Sequence, residues 1–288
     1  QNARARENQW GFVDFNRPMV AINQWEQAED SMYTLCGKDR IHPSTDGHLV
    51  MAYLFLKAQG LAGKPVADIR IDGAGKKVTR SDNCRVSDLS VSSDNLTFTY
   101  EAKSLPYPID TSYYDNEKHT QADALSVIPF MDEMNYEGLS VSGLSDGYYG
   151  LTIGREFIGR FTARELERGI NMALLQNTPQ YKQAMKIRQM NEERWLKERK
   201  MREFYWVEYN LMRKTGMLWA CNEAAVDTLR KYRPHDIFLQ WNGDLWLQYM
   251  HKGIREDCVN EQQDLVNQIY EQNKPIPLRI EIKKFTDL

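Results

Sequence analysis

Asp39-Arg40-Ile41-His42-Pro43, followed by Gly47-His48 and the apolar run from Leu49 to Leu56, is the stretch from which the rest of this chain is read. It places a carboxylate and an imidazole three residues apart, directly ahead of a helical segment. Ser44 or Thr45 can cap that helix, which runs to about Gln59 with Gly60 as its stop. Leu49, Ala52, Tyr53, Phe55 and Leu56 would cover most of its girth, so it should pack against a larger body. A hydrolytic histidine takes a proton from a nucleophile and returns it to the leaving group, while a carboxylate on its far nitrogen fixes the tautomer. Asp39 and His42 in one loop supply both groups without long-range assembly. The structural alternative is that Asp39 and His42 only cap the helix, with His42 bonded to a nearby carbonyl. Pro43 and Gly47, at usages of roughly 5% and 7%, make a chance match a few hundredfold rarer.

Working outward, residues 1–62 read as α/β. Trp10-Gly11-Phe12-Val13-Asp14-Phe15 is a compact apolar strand candidate, with Asp14 as a turn or cap carboxylate, and a connecting segment rich in Asn and Gln follows. Residues 63–161 change to strands. Val66 to Asp72 ends at a glycine turn, and Leu96, Phe98 and Tyr100 alternate with Thr97 and Thr99. Ser104 to Asn135 lacks periodicity and reads as a long surface loop. Ser145-Asp146-Gly147 fits a hairpin turn. This module is expected to be a small β-sandwich. Residues 162–288 read as helical. Thr162-Ala163-Arg164-Glu165 is a capping box whose helix should end near Asn177-Thr178-Pro179. A long charged helix spans Pro179 to about Lys214, and a second helical arm spans Met217 to Glu271, interrupted near Arg233-Pro234. The final Leu278-Arg279-Ile280-Glu281-Ile282-Lys283 alternates strictly and should return to an edge of the β module.

Asp39-x-x-His42-Pro43 with Gly47-His48 and the helix after it resembles the last conserved block of SGNH (GDSL-type) hydrolases. The likeness extends to bacterial SGNH proteins with a β-rich and helical C-terminal extension. It is carried there by Gly143-Leu144-x-x-Gly147-x-Tyr149-x-Leu151, Glu165-Leu166 and Gly169-x-Asn171-x-Ala173. The fold implied is a partial SGNH three-layer α/β domain over residues 1–62, a β-sandwich-like module over 63–161, and a helical hairpin or bundle over 162–288. The activity implied is that of an esterase or deacetylase, often on acylated carbohydrate, in a secreted or periplasmic setting. By resemblance Asp39 is the acid and His42 the base of a catalytic triad. The family's nucleophile lies upstream in a Gly-Asp-Ser block, and two further blocks donate to the oxyanion. Ahead of Asp39 this chain holds one serine, Ser31, in Glu29-Asp30-Ser31-Met32, outside any glycine-rich turn. The expectation is therefore that the serine sits on a missing N-terminal segment, and that this chain alone is inactive.

The remaining features exclude more than they assign. A formal charge of −3 gives no global attraction to nucleic acid, and no apolar run approaches the ~20 residues of a membrane span. No cofactor motif and no Cys/His pair at metal-ligand spacing occurs. Cys36, Cys84, Cys221 and Cys258 allow disulfides without requiring them. The first residues lack the apolar centre of a signal peptide, so either a leader has been removed or the chain lies inside a larger protein. Bases across Lys182–Lys214 interleave with Glu192, Glu193, Glu198, Glu203 and Glu208, the pattern of a solvated helix. The aromatic cluster of Phe204, Tyr205, Trp206, Trp219, Phe238, Trp241, Trp246 and Tyr249 reads as a core, or alternatively as the floor of a sugar site. A non-catalytic module that binds glycan or protein, carrying a degenerate hydrolase remnant, is the competing function.

Overall fold

The computed structural model describes residues 2–112 and 119–285. Their contacts divide the chain into two units, Gln1–Ala184 with Pro275–Leu288, and Met185–Lys274. Each unit has its own core. Among the described residues no helix is long and apolar enough to cross a membrane.

The first unit opens with three helices, α1 (Asn2–Glu7), α2 (Asn16–Glu26) and α3 (Thr45–Ala58). Trp10–Phe15 forms no strand, and the Asn/Gln-rich connection after it is α2 itself. A strand survives only where a neighbour pairs its backbone and a sheet buries one face. Residues 2–62 supply neither, and Trp10 and Phe12 remain exposed. The β pairing described there is a single bridge between Cys36 and Pro43.

Beyond α3 come β1 (Ala67–Asp72), β2 (Lys77–Asp82), β3 (Cys84–Val91) and β4 (Asn95–Ala102), then the short helix α4 (Phe130–Glu133). After it follow β5 (Glu137–Ser142), β6 (Tyr148–Ile153), β7 (Glu156–Thr162), α5 (Ala163–Arg168) and β8 (Ile170–Asn171). Two sheets result, ordered β2-β1-β5-β8 and β3-β4-β9-β6-β7, where β9 is Leu278–Lys284. Alternate residues of each, such as Ile69, Ile71, Leu139 and Val141 from the first and Phe98, Leu151, Ile280 and Ile282 from the second, share one core. The last strand does not sit at an edge. It pairs antiparallel with both β4 and β6 and completes the middle of its sheet. Leu278, Ile280 and Ile282, all buried, face the core there, and it is the pairing with two neighbours that fixes the strand's place.

Two further segments differ from the sequence reading. Ser104–Asn135 is not a surface loop, although its residues 113–118 lie outside the described residues. It carries a 3-10 turn (Gln121–Ser126) and α4, and Ile109, Ala124, Ile128, Phe130 and Met131 pack with Leu49, Val50 and Tyr53 of α3 into a second core. Periodicity missed it because its apolar residues serve short turns of mixed type. The capping box at Thr162 is present, with Thr162 Oγ1 accepting from Glu165 N at 3.1 Å and Glu165 Oε2 accepting from Thr162 N at 2.7 Å. Its helix nonetheless stops after six residues at Gly169, where φ is +94° and the chain turns into β8. The Gly143–Gly147 turn likewise carries the chain from one sheet to the other instead of closing a hairpin.

The second unit takes in most of α6 (Pro179–Val207), then α7 (Glu223–Tyr232), α8 (Ile237–Tyr249) and α9 (Lys252–Gln272). Ion pairs Arg188–Glu192, Arg194–Glu198 and Arg199–Glu203 run along α6 at i,i+4 spacing, as its charge pattern implies. The helix ends in a π-helical turn, Glu208–Met212. The buried Glu208 carboxylate there accepts from Trp246 Nε1 and from Trp219 N, both at 2.8 Å. The aromatic cluster therefore splits. Phe204, Trp246 and Tyr249 are core, whereas Phe238, Trp241 and Trp219 stay exposed.

Candidate active site

Leu35 is the anchor of the acid–base loop. Its side chain is fully buried in the second core, its N–H donates to Asn23 Oδ1 of α2 at 3.0 Å, and its carbonyl accepts from Ser44 N at 3.0 Å. Gly37 N donates to the His42 carbonyl at 2.7 Å, so residues 35–44 close on themselves and hold a tight tip. Arg40, at φ +56°, makes the reversal.

Gly47 explains why the motif continues past the histidine. A β-carbon there would lie 2.0 Å from the Leu35 carbonyl oxygen. Only glycine lets the first turn of α3 abut the base of the loop. Ser44 occupies the N-cap position but caps nothing with its side chain. Its hydroxyl is buried and contacts the Leu35 carbonyl and the carboxylate of Asp46. Asp46 Oδ1 accepts from Gly47 N at 2.8 Å, and Asp46 Oδ2 lies 3.4 Å from His119 Nδ1. This second carboxylate–imidazole contact was not read from the sequence, because its partners are 73 residues apart; the nearest signal is Asp46 sitting one residue before the motif glycine. It braces the loop from beneath.

At the tip the two motif residues meet. His42 Nδ1 and Asp39 Oδ2 are 2.5 Å apart, while Asp39 Oδ1 accepts from Ile41 N at 2.9 Å and from His42 N at 3.1 Å. The imidazole hydrogen bond, aided by the two backbone donors, pulls the Asp39 carboxyl down to about 2. Asp39 is thus a fixed carboxylate through the neutral range. The His42 side chain is 82% exposed, and its Nε2 has no partner among the described residues. A helix-capping histidine would spend its nitrogens on backbone carbonyls. This one gives a single nitrogen to a carboxylate and presents the other outward, an arrangement a general base would need.

No hydroxyl of the described residues completes the pair. Ser31 is exposed in a turn without a hydrogen bond to His42, and the buried Ser44 hydroxyl is committed to the Leu35 carbonyl and the Asp46 carboxylate. The glycine-containing stretch Asn242-Gly243-Asp244 lies inside α8, with Asp244 paired to Arg233 at 2.6 Å, and forms no nucleophile turn. Among the described residues no cluster of His, Cys, Asp and Glu is arranged to hold a metal. All four cysteines are free thiols, Cys84 and Cys258 buried.

The extension residues that carried the resemblance serve the fold. Gly143, Gly147 and Gly169 all adopt positive φ. The Tyr149 hydroxyl donates to the Ser145 carbonyl at 2.8 Å. Asn171 joins the first sheet to the helical layer: its Oδ1 accepts from Glu137 N and Ala173 N, and its Nδ2 donates to the carbonyls of Met131 and Asn135.

Comparison with known proteins extends this picture. Residues 185–274 match the diltiazem deacetylase C-terminal helical domain family. A solved structure of a gut microbial diltiazem-metabolizing enzyme superposes with a TM-score of 0.92 at 42% sequence identity. That match covers 99% of this chain and 64% of the other, so this chain spans less than two thirds of that enzyme's length. No curated protein matches the chain.

Proposed function

We propose that this chain is the C-terminal part of a deacetylase-type ester hydrolase of the SGNH kind, in which Asp39 orients and His42 is the general base. The nucleophilic serine is carried on polypeptide upstream of these residues. The observation that carries the reading is the Asp39–His42 contact on a braced, exposed loop, with the far imidazole nitrogen uncommitted. The likeness to a diltiazem-metabolizing enzyme, and the helical-domain match to a diltiazem deacetylase, favour an acetyl ester as the bond cleaved.

In this mechanism the serine hydroxyl passes its proton to His42 Nε2 as its oxygen attacks the ester carbonyl. The imidazolium, steadied by Asp39, then protonates the departing alkoxide. Water repeats the sequence on the acyl-enzyme and releases acetate. An O-acetylated carbohydrate is the substrate class that the motif resemblance favours, and diltiazem the one that the structural likeness favours. A secreted or periplasmic location accords with either.

The test is acetate release from p-nitrophenyl acetate, acetylated sugars and diltiazem by the intact protein and by His42→Ala. The variant should lose about three to six orders of magnitude in kcat with its fold intact, because triad members act as a unit. Unchanged turnover in His42→Ala would remove His42 from the reaction.

A further inference from the structure

A cavity of about 370 Å³ opens in the helical unit against the π-helical turn, far in sequence from the acid–base loop. Its volume falls within the range of small-molecule sites. A π-turn shifts the helical register by one residue per turn and forgoes regular i→i−4 bonding, which is why such turns are rare and concentrate where a side chain must be re-aimed. Here the shift places Asn210 and Leu211 on the cavity wall. The turn is held in place from inside by buried Glu208, through its bonds to Trp246 Nε1 and Trp219 N. The wall is thus built on a fixed base.

The lining has a consistent chemistry. Trp206 and Tyr232 supply flat rings, and Phe238 extends the Trp206 face with a centroid separation of 5.3 Å. Lys214 contributes an ammonium that makes no ion pair among the described residues. The acidic residue on the wall, Asp236, has Oδ1 occupied by the N–H groups of Phe238 and Leu239 at the start of α8. Asn210 gives its amide N–H to the Trp206 carbonyl, which leaves its side-chain oxygen free as an acceptor. His235 and Thr215 also line the cavity, and aromatic walls with the Lys214 ammonium and the Asn210 acceptor suit a ring that bears a negative charge and a hydroxyl.

We propose that this cavity is a binding site for a small ring-shaped carboxylate, its ring against Trp206 and Tyr232 and its carboxylate on Lys214. An acidic sugar residue and an aromatic acid both carry that chemistry. The site is built from residues of the helical unit, and its occupancy does not depend on the proposed hydrolytic reaction.

Isothermal titration of the full chain with glucuronate and with 4-hydroxybenzoate, each beside its neutral counterpart glucose or 4-hydroxybenzyl alcohol, decides the matter. At least one acid should bind saturably, about tenfold tighter than its neutral counterpart, and the one that does identifies the source. Lys214→Met, an exposed substitution that spares the core, should weaken that acid about tenfold, whereas Asp39→Asn should leave it unchanged. Absence of saturable binding by both acids, or an affinity indifferent to Lys214→Met, would overturn the proposal.

Discussion

Single atoms decide the acid–base loop. The Leu35 carbonyl lies where a β-carbon on residue 47 would have to go, so Gly47→Ala must push the start of α3 away from residues 35–44. The two hydrogen bonds that Ser44 donates to the Leu35 carbonyl across that gap would lengthen with it. The expected result is a loss of about 1–3 kcal/mol in thermal or denaturant unfolding, typical of overpacking at a rigid contact. Under the mechanism proposed above, the intact protein should also lose esterase rate, since His42 moves with the loop. At Asp39 the depressed titration gives a second expectation. Its carboxylate persists until pH falls toward about 2, so protonation of Asp39 sets no limb of the pH–rate profile above about pH 4.

At the scale of elements, the π-turn closing α6 is an irregular piece of the helical unit fixed through one buried side chain. Its carboxylate is buried, and each oxygen has one strong donor. Burial of a charge without those donors would be prohibitive, and loss of the charge strands both donors. Glu208→Ala should therefore cost about 2–4 kcal/mol, read by chemical denaturation. It should also alter the fluorescence of Trp246 and Trp219 together. Glu208→Gln, which keeps one acceptor, should recover part of that loss. An unaltered denaturation midpoint in Glu208→Ala would show that the turn holds without its carboxylate.

For the molecule as a whole, the buried Glu137 at the start of β5 couples folding to pH. Its Oε1 accepts from Tyr100 Oη at 2.8 Å and Gln180 Nε2 at 3.2 Å, while its Oε2 has no partner among the described residues. Burial pushes the carboxyl up to about 7, against the two hydrogen bonds that oppose it. In the unfolded chain the same group loses its proton near 4.5. Between those values the folded state holds the extra proton, so stability falls as pH rises. The contribution is complete below about 4.5, declines through about 7 and then levels, with a span on the order of 3 kcal/mol. Melting temperatures recorded from pH 5 to pH 8 should fall for the parent chain. The fall should be smaller for Glu137→Gln, which stays neutral throughout. Equal slopes for the two proteins would show that Glu137 is ionised in the folded state.

What the sequence determined by itself was local. The Asp39–His42 pairing, the capping box at Thr162, the charged length of α6 and the alternation in β4 and β9 all lie within a few residues, where spacing fixes geometry. What only the tertiary structure decided was non-local. Trp10–Phe15 has strand-like composition and finds no strand partner among the described residues, whereas Ser104–Asn135 has no period and still builds a core against α3. The final strand entered the centre of its sheet because β4 and β6 offered two unpaired edges that no local pattern records. Contacts such as Asp46–His119 and Glu137–Tyr100 join residues tens of positions apart, so their strength depends on burial that only packing creates.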